Sequence, residues 1–579
     1  MSRRIPLLQL LKAGAVYQYR RWAVDLGAPA RAINLNAGKP AVFHDIRPSF
    51  IYGDKKTAEV MLKGHFEYAG QKLDIGVQGD PWTVAVPSTR FASWLHGFHW
   101  LGDLAVSKDK NAAIRARHLV DKWIAVYGKW NVFAWEPDVL ADRLFHWFSV
   151  WSPLLTGDNL SEDAQIRRNS AVRQLKRLRT TYKRTSPGLP RLKAAAVLAM
   201  GGARLKEKSD GFLGRGLDWL DDEIERQVLP DGGHVSRAPG QALETLQILL
   251  TLDSLLQARG VEGSRAMSRA IDRLAPVIPF FTASDGKLFT FNGSGEGEKA
   301  HIKAIKRAAP ETTAKSFGYC PHTGYQRIEA EGTVLLVDTG ATASRPFDEQ
   351  AHLAPLAFEL STELGRLVVN CGWNAQQPQS FHRAVRSTAA HSNLILANHS
   401  SGRLLKDGWG SKWLGEVVDV EAGPVTATRK EQVSGTWLET SQGGYREETG
   451  LMHRRRFYMS VEGDDMRGED SLFVPLGAVP LSNTEKPFQI RFHFHPDVRV
   501  SLSQDQQSAL LVLGGKAGWR FRTDGGPLSL EDSIYLGAGH KPVKCQQIII
   551  SGRAFCDSDG ETRSNRVRWS FRKLEARKK

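Results

Sequence analysis

Cysteine is scarce in this chain: among 579 residues there are only Cys320, Cys371, Cys545 and Cys556, and no two of them stand in a CxxC pair. That spacing excludes a metal finger and gives no sign of a disulfide framework. The four read as small buried residues, which suits a reducing compartment. No stretch is long and apolar enough to cross a bilayer. The N-terminal MSRRIPLLQLLKAGAV has the basic start of a secretion signal, but Gln9 and Lys12 interrupt its apolar run and no small-residue cleavage site follows cleanly. Leu7, Leu8, Leu11, Val16 and Trp22 instead suit one face of a helix, and the expectation is a cytoplasmic protein.

Acidic residues are outnumbered, 62 Asp and Glu against 78 Lys and Arg, for a net charge of +16. Such an excess favours an acidic partner, whether nucleic acid, an anionic membrane or an anionic polysaccharide, or else marks a merely basic surface. No recognisable RNA- or DNA-binding motif accompanies it, so nucleic acid is not expected. The apolar share of 41% and the charged share of 24% are those of a chain that folds nearly throughout. At this length one core is not enough, and two large domains are expected.

The first half is helical. Phe91, Trp94, Leu95, Phe98, Leu101 and Leu104 recur at three- and four-residue steps, as do Leu119, Trp123 and Val126, then Leu140, Leu144, Trp147 and Trp151. Further helices are expected at about 162–183, 189–205, 211–228, 237–258 and 262–280, punctuated by Pro137, Pro153, Pro187–Gly188, Pro230 and Gly260. Helical hairpins this aromatic must stack into a bundle, a superhelix or a ring, and periodicity does not choose among these. Trp94, Trp100, Trp123, Trp130, Trp135, Trp147 and Trp151 are core residues or, where they face an open cleft, platforms for sugar rings.

The texture changes after about residue 283. A Gly-rich loop at 291–297, FNGSGEG, is followed by period-two runs at Thr333–Val337, Leu356–Leu360, Arg366–Val369, Leu394–Leu396, Arg455–Met459, Phe488–Phe494, Ala509–Leu513 and Gln546–Ile550. The division expected is a helical domain over 1–282 and an antiparallel β-sandwich over 283–579. Within the second half, QAHLAPLAFELSTELGRLVVNCGWNAQQPQSFHRAVRSTAAHS (350–392) carries His352 and His391 beside strand-like runs, and adjacent antiparallel strands would bring the two imidazoles together. In the tail, Val567, Trp569 and Phe571 alternate among arginines as a last strand would.

Several motifs taken together resemble the heparinase II/III-like family of polysaccharide lyases. They include WLHGFHWLGDL (94–104), AWEPDVLADRLFHWF (134–148), LPDGGHVSRAPG (229–240), AHLAPLAFELS (351–361), FHRAVRSTAAHS (381–392), RGED (467–470) and RFHFHP (491–496). The resemblance implies an α+β multidomain fold, an incomplete (α/α) toroid followed by an antiparallel β-sandwich, with the active site in the cleft between them. It implies β-elimination at a uronic acid of an acidic, glycosaminoglycan-like chain. That reaction needs the sugar carboxylate neutralised, a base for the adjacent proton and an acid for the leaving oxygen. The paired carboxylates of a glycoside hydrolase are not required. As for lyases of the family, a periplasmic or envelope location is the alternative to the cytoplasm.

The family's pattern is only partly matched. Asp231, Gly232 and His234 agree with it, but Ser236 stands where an acidic residue is usual and Gln241 where the catalytic Tyr is expected. Leu189–Pro190 stands where an Asn-His pair would neutralise the carboxylate. On the sandwich side His352 and His391 match, and in some members two such histidines and an Asp hold zinc, yet Ala354 occupies the Asp position. A zinc on His352 and His391 therefore requires Asp348 or Glu349 to complete the set. Catalysis is assigned to His352 and His234, with His234 as a base whose pKa lies near the working pH. Arg237, Gln241, Arg383 and Arg386 are assigned to the substrate, Arg237 pairing with its carboxylate. Two readings of His234 stay open: this one, and a helix-start turn in which Asp231 caps, Pro239 opens the helix and His234 packs. Two functions stay open as well, a lyase of unusual site and a non-catalytic relative that binds an anionic glycan.

Overall fold

Helix starts are written locally in the first half. In the computed structural model, Ser88 Oγ accepts from the Phe91 N–H (3.1 Å) to open Thr89–His96, Ser161 Oγ does the same for Glu162–Thr181 (3.2 Å), and Pro137 and Pro239 occupy first turns. Gly260, in the left-handed conformation (φ 73°), ends the helix Pro239–Arg259. The structure describes residues 40–574 except 208–209, 311–316, 479, 481–483, 516, 559 and 561–563, together with positions 8, 12, 14 and 15. Most of the helix face expected near the N-terminus (Leu7, Leu11, Val16, Trp22) lies outside the described residues.

The helices Asn111–Tyr127, Pro137–Val150, Glu162–Thr181, Leu189–Arg204, Asp210–Gln227, Pro239–Arg259 and Arg265–Phe280 pack against one another as the incomplete toroid. Their boundaries fall within a few residues of those expected from periodicity. A further helix, Lys299–Ala308, packs on Pro239–Arg259, and the first strand of the large sheets follows at Tyr319. The tryptophans are core: Trp100, Trp123, Trp135 and Trp147 are fully buried, with Trp147 edge-on to Phe98 (5.5 Å) and Trp123 (5.7 Å). Trp94 stacks on Tyr68 at 5.1 Å.

The second half is a sandwich of two open antiparallel sheets. One has the strand order Val425–Gln432, Gly435–Gln442, Met452–Ser460, Asp465–Phe473, Arg566–Lys573, Ala517–Thr523, Ser508–Leu513, Val498–Leu502. The other runs Leu528–Tyr535, Val543–Phe555, Glu485–Phe494, Gly365–Val369, Phe358–Thr362, Thr333–Asp338, Tyr325–Ala330, Tyr319–Cys320, and Leu394–Leu396 also pairs with Glu485–Phe494. Side chains alternate across each strand, so Val567, Trp569 and Phe571 enter the core and Arg568 and Arg572 face water. Phe358 stacks on Trp569 (5.5 Å) at the centre of the interlayer space.

Within that core lies a buried ion pair. Arg455 Nε donates to Asp470 Oδ1 (2.6 Å) and the second guanidinium nitrogen reaches Oδ2 (3.1 Å), while His453 Nε2 (2.6 Å) and the Trp569 indole (2.8 Å) donate to the same carboxylate. Burial would raise the Asp470 carboxyl, but Arg455 and then His453 hold it well below the usual carboxylate range. The remaining Arg455 nitrogen donates to the carbonyls of Leu356 (3.0 Å) and Ser392 (2.9 Å), pinning both ends of the 350–392 stretch. Asp470→Ala would leave a guanidinium buried without its carboxylate, and urea unfolding should show a loss of about 3–5 kcal/mol.

Candidate functional site

A cleft of about 580 Å3 runs between toroid and sandwich. From the toroid come Tyr52, His99, Asp103, His146, Lys193, Gln241, Glu244 and Gln247; from the 291–297 loop and beyond come Gly293, Ser294, His301, Gln350, Trp373 and Asn374. Arg90 closes one end, donating to the carbonyls of Ala375 (2.6 Å) and Gln377 (2.7 Å) and so fixing the Trp373–Asn374 loop against the helix Thr89–His96.

Charge in the cleft centres on Lys193, carried on the helix Leu189–Arg204. Its Nζ donates to Asp142 (2.7 Å) and Glu244 (3.2 Å). Burial alone would lower its pKa, but Asp142 and then Glu244 hold it above the ordinary lysine value. Burial likewise would raise Asp142, and Lys193 followed by His99 keeps it far below the carboxylate range. His99 Nε2 lies 3.3 Å from the other Asp142 oxygen. His146 Nδ1 meets the carbonyls of Gly97 and Asp142, and burial lowers its pKa to about 3. Burial also pushes Asp103 up to about 7 and, with help from Asp103, Tyr52 up to about 12. Gln241 Nε2 donates to Gln350 Oε1 (3.1 Å) across the cleft floor, His301 Nε2 meets Gln247 Oε1 (3.0 Å), and Tyr52 stacks on His301 (4.1 Å).

Of the residues expected to act, Gln241 lines this cleft. His234 does not: it is buried, its Nδ1 accepts from the Ser236 N–H (3.1 Å), its Nε2 faces Gln227 Oε1 (3.1 Å), and burial lowers its pKa to about 3. His234 packs and Pro239 lies in the first turn, as in the helix-start reading, but Asp231 does not cap: the residue before the helix is Ala238, with no side-chain cap, and Asp231 accepts from the N–H groups of Gly233, His322 and Thr323. Arg237 is corrected too. Its guanidinium pairs with Asp338 and donates to the carbonyls of Thr323 (2.7 Å), Ala341 (2.8 Å) and Gly324 (3.2 Å), which leaves no face for a sugar carboxylate. Arg386 is spent on the backbone carbonyls of Ala351, Asp348 and Glu416, while Arg383 pairs with Asp407 (3.2 Å) and the Leu405 carbonyl beyond the Trp373 end of the cleft. In the RFHFHP strand His493 is buried against Ser533 and the Ala389 carbonyl.

His352 and His391 do meet, with His391 Nε2 2.8 Å from His352 Nδ1. The network settles the protons. The Ser387 carbonyl 2.8 Å from His391 Nδ1 can only accept, so that nitrogen carries hydrogen. His352 Nε2 accepts from the Gly293 N–H (3.1 Å), so its proton sits on Nδ1 and is donated to His391 Nε2. Gly293 has φ 83°, a conformation that suits glycine, and this turns its N–H inward. Burial lowers both imidazoles, His391 to about 4, which keeps them neutral. All four ring nitrogens are thus occupied. Ala354 is buried, Asp348 accepts from the Val418 N–H (2.9 Å), and no group of three or more His, Cys, Asp or Glu stands together as a metal site among the described residues. This donor set does not fit zinc, which wants at least three free ligands.

Residues 312–570 match the model of the heparinase II/III-like C-terminal domain. Over 539 residues, 92% of this chain and 90% of the relative, the sequence is 34% identical to FtsZ-localized protein C of Caulobacter vibrioides. The chain belongs to the heparinase II/III-like family. Its fold is shared with a heparan sulfate lyase HepC mutant from Pedobacter heparinus (16% identity, TM-score 0.61, 99% of this chain and 92% of that one) and with heparinase III (14% identity, TM-score 0.64, 99% and 92%). At such identities the likeness is one of fold alone.

Sequence reasoning missed Lys193, His99 and His146, which line the cleft, and Asp142, which pairs with the first two. The last three lie inside motifs that were read for their aromatic periodicity, and Lys193 sits one helical turn beyond the Leu189–Pro190 position. Because the histidine pair is closed by hydrogen bonds, chelator treatment should leave the thermal unfolding midpoint unchanged; a fall of several degrees, restored by added zinc, would overturn the assignment.

Proposed function

We propose that this protein is a glycan-binding member of the heparinase II/III-like family whose cleft holds a saccharide without cleaving it by β-elimination. The observation that carries the reading is the state of Lys193. Among the described residues it is the one Lys or Arg in the body of the cleft, Arg90 at its end being spent on the Ala375 and Gln377 carbonyls, and Asp142 and Glu244 already hold it. A uronate carboxylate entering there would meet two carboxylates for one ammonium, so nothing neutralises it for loss of the adjacent proton. Gln241 in the place of a phenol removes the expected acid and base. What the cleft offers is amides (Gln241, Gln247, Gln350, Asn374), the Trp373 ring and imidazole edges, which suit the hydroxyls, acetamido groups and apolar faces of an uncharged sugar.

A lyase reading is favoured by one feature, the His99–Asp142 pair, an imidazole oriented by a carboxylate and set beside Lys193. The two readings separate in one experiment. Incubation with a panel of uronic-acid polysaccharides should give no rise in unsaturated-uronate absorbance. Calorimetry should detect binding of an N-acetylglucosamine oligosaccharide, weakened about five- to tenfold by Trp373→Ala, the loss of about 1–1.5 kcal/mol of aromatic contact. Product formation that His99→Ala abolishes would instead establish the lyase.

The identity shared with FtsZ-localized protein C supports a location with FtsZ for this chain also, and the free, buried cysteines suit the cytoplasm. A fluorescent fusion should co-localise with FtsZ in dividing cells; a uniform or periplasmic signal would remove this part of the proposal.

A further inference from the structure

The positive charge that the cleft lacks is found elsewhere, on the outer face of the sheet whose central strands are Met452–Ser460, Asp465–Phe473, Arg566–Lys573 and Ala517–Thr523. A groove of about 480 Å3 crosses these strands, lined among others by Trp437, Tyr458, Arg456, Arg467, Arg522 and Arg568. Register puts its members in rows. Trp437 lies opposite Tyr458, Tyr458 opposite Arg467, Arg467 opposite Ser570 and Ser570 opposite Arg522, a line of roughly 19 Å at about 4.8 Å per strand. The neighbouring row is Glu439, Arg456, Glu469 and Arg568, tied by ion pairs of 2.6, 3.0 and 3.2 Å. On the other side Arg520 stands directly opposite Arg572.

That last pair is the informative one. Like charges opposed across strands destabilise a sheet. Arg520, Arg522 and Arg572 are exposed, and no ion pair engages them among the described residues. Arg522 lines one end of the groove and Arg520 and Arg572 stand beside it; Asp465, opposite Arg572 in register, is taken by Arg467 (2.6 Å). At the other end Trp437, 43% exposed, and Tyr458 form an aromatic shelf (4.7 Å between rings), with Arg467 over the Tyr458 ring at 5.6 Å.

We propose that this groove binds an anionic polysaccharide, one bearing sulfate or carboxylate groups, at a site separate from the cleft and independent of the reading given for it. Arginine forks match sulfate and carboxylate oxygens. The aromatic shelf takes the apolar face of a sugar ring. The interleaved carboxylates Glu469 and Asp524, which also line the groove, accept from sugar hydroxyls. Duplex nucleic acid fits less well, because this flat sheet face offers no helix or two-stranded ribbon to enter a groove, and the sequence carries no recognisable nucleic-acid-binding motif.

The test uses heparin as probe with the full chain. Retention on immobilised heparin should fall with salt, and calorimetry with a heparin oligosaccharide should show affinity lowered tenfold or more by Arg520→Glu/Arg522→Glu, several-fold by Arg522→Gln, and about fivefold by Trp437→Ala. Thermal melts of each variant should match the wild type. Trp373→Ala in the cleft should leave heparin affinity as it is, and duplex DNA should compete poorly. Heparin affinity untouched by the arginine variants, heparin affinity lost through Trp373→Ala, or duplex DNA displacing heparin at equal charge would each overturn the proposal, the last by showing an indiscriminate polyanion surface.

Discussion

Arg237 joins the two halves of the molecule. It occupies a left-handed backbone position (φ 64°) at the turn before the helix Pro239–Arg259, and from there its guanidinium crosses to the sandwich, pairing with Asp338 and three carbonyls. A buried guanidinium is costly unless every donor is met, so the toroid turn and the sheet edge can occupy only one relative position. Asp231 adds to the same clasp, accepting from the N–H groups of His322 (2.8 Å) and Thr323 (2.7 Å). Beyond Asp338 the bonds continue. Asn292 donates to Asp338 (3.2 Å) and accepts from the His352 N–H (3.0 Å), and His352 leads to His391 and Ser387. Histidines that look like chemistry in the sequence are links in this brace, standing behind the cleft wall.

The cleft that the brace holds open has an electrostatic character opposite to that of the whole chain. The net charge of +16 suggests a positive active site. In the structure the cleft's ammonium is neutralised by Asp142 and Glu244, and arginines without an ion pair among the described residues gather on a sheet face away from it. Net charge is a sum over a surface and carries no address. The same total could arise from a catalytic groove, a docking face or scattered side chains, and only the fold distributes it.

Periodicity made the helices from 162 to 280 legible nearly to the residue, because each buries an apolar stripe whose spacing the helix itself dictates. The sandwich strands were legible for the same reason at period two. His352 and His391 meet as expected but not for the reason expected, since Leu394–Leu396 pairs with Glu485–Phe494 and not with Phe358–Thr362, and the two imidazoles come together from the loops that precede these strands. Direction was not legible. The Gly232–Gly233 turn brings His234 to the right height, but whether its imidazole faces the cleft or Gln227 depends on partners far away in sequence. Arg237 and Arg386 were misread for a related reason: an arginine in a motif looks the same whether it awaits a ligand or is spent on carbonyls. Lys193 went unread because the alanine-rich helix around it reads as plain packing, and its meaning comes from Asp142 and Glu244, each 51 residues away.

Arg455, by donating to the carbonyls of Leu356 and Ser392, makes the most recognisable stretch of this chain answerable to the core of the sandwich. A family signature anchored in this way reports descent before it reports chemistry. A substitution in the cleft need not disturb this signature, since the bonds that hold the signature run to the sandwich core and not to the residues lining the cleft. The pattern by which the family is recognised is thus held apart from the cleft and from the outer sheet faces, and a change of side chains on either leaves that pattern as it is.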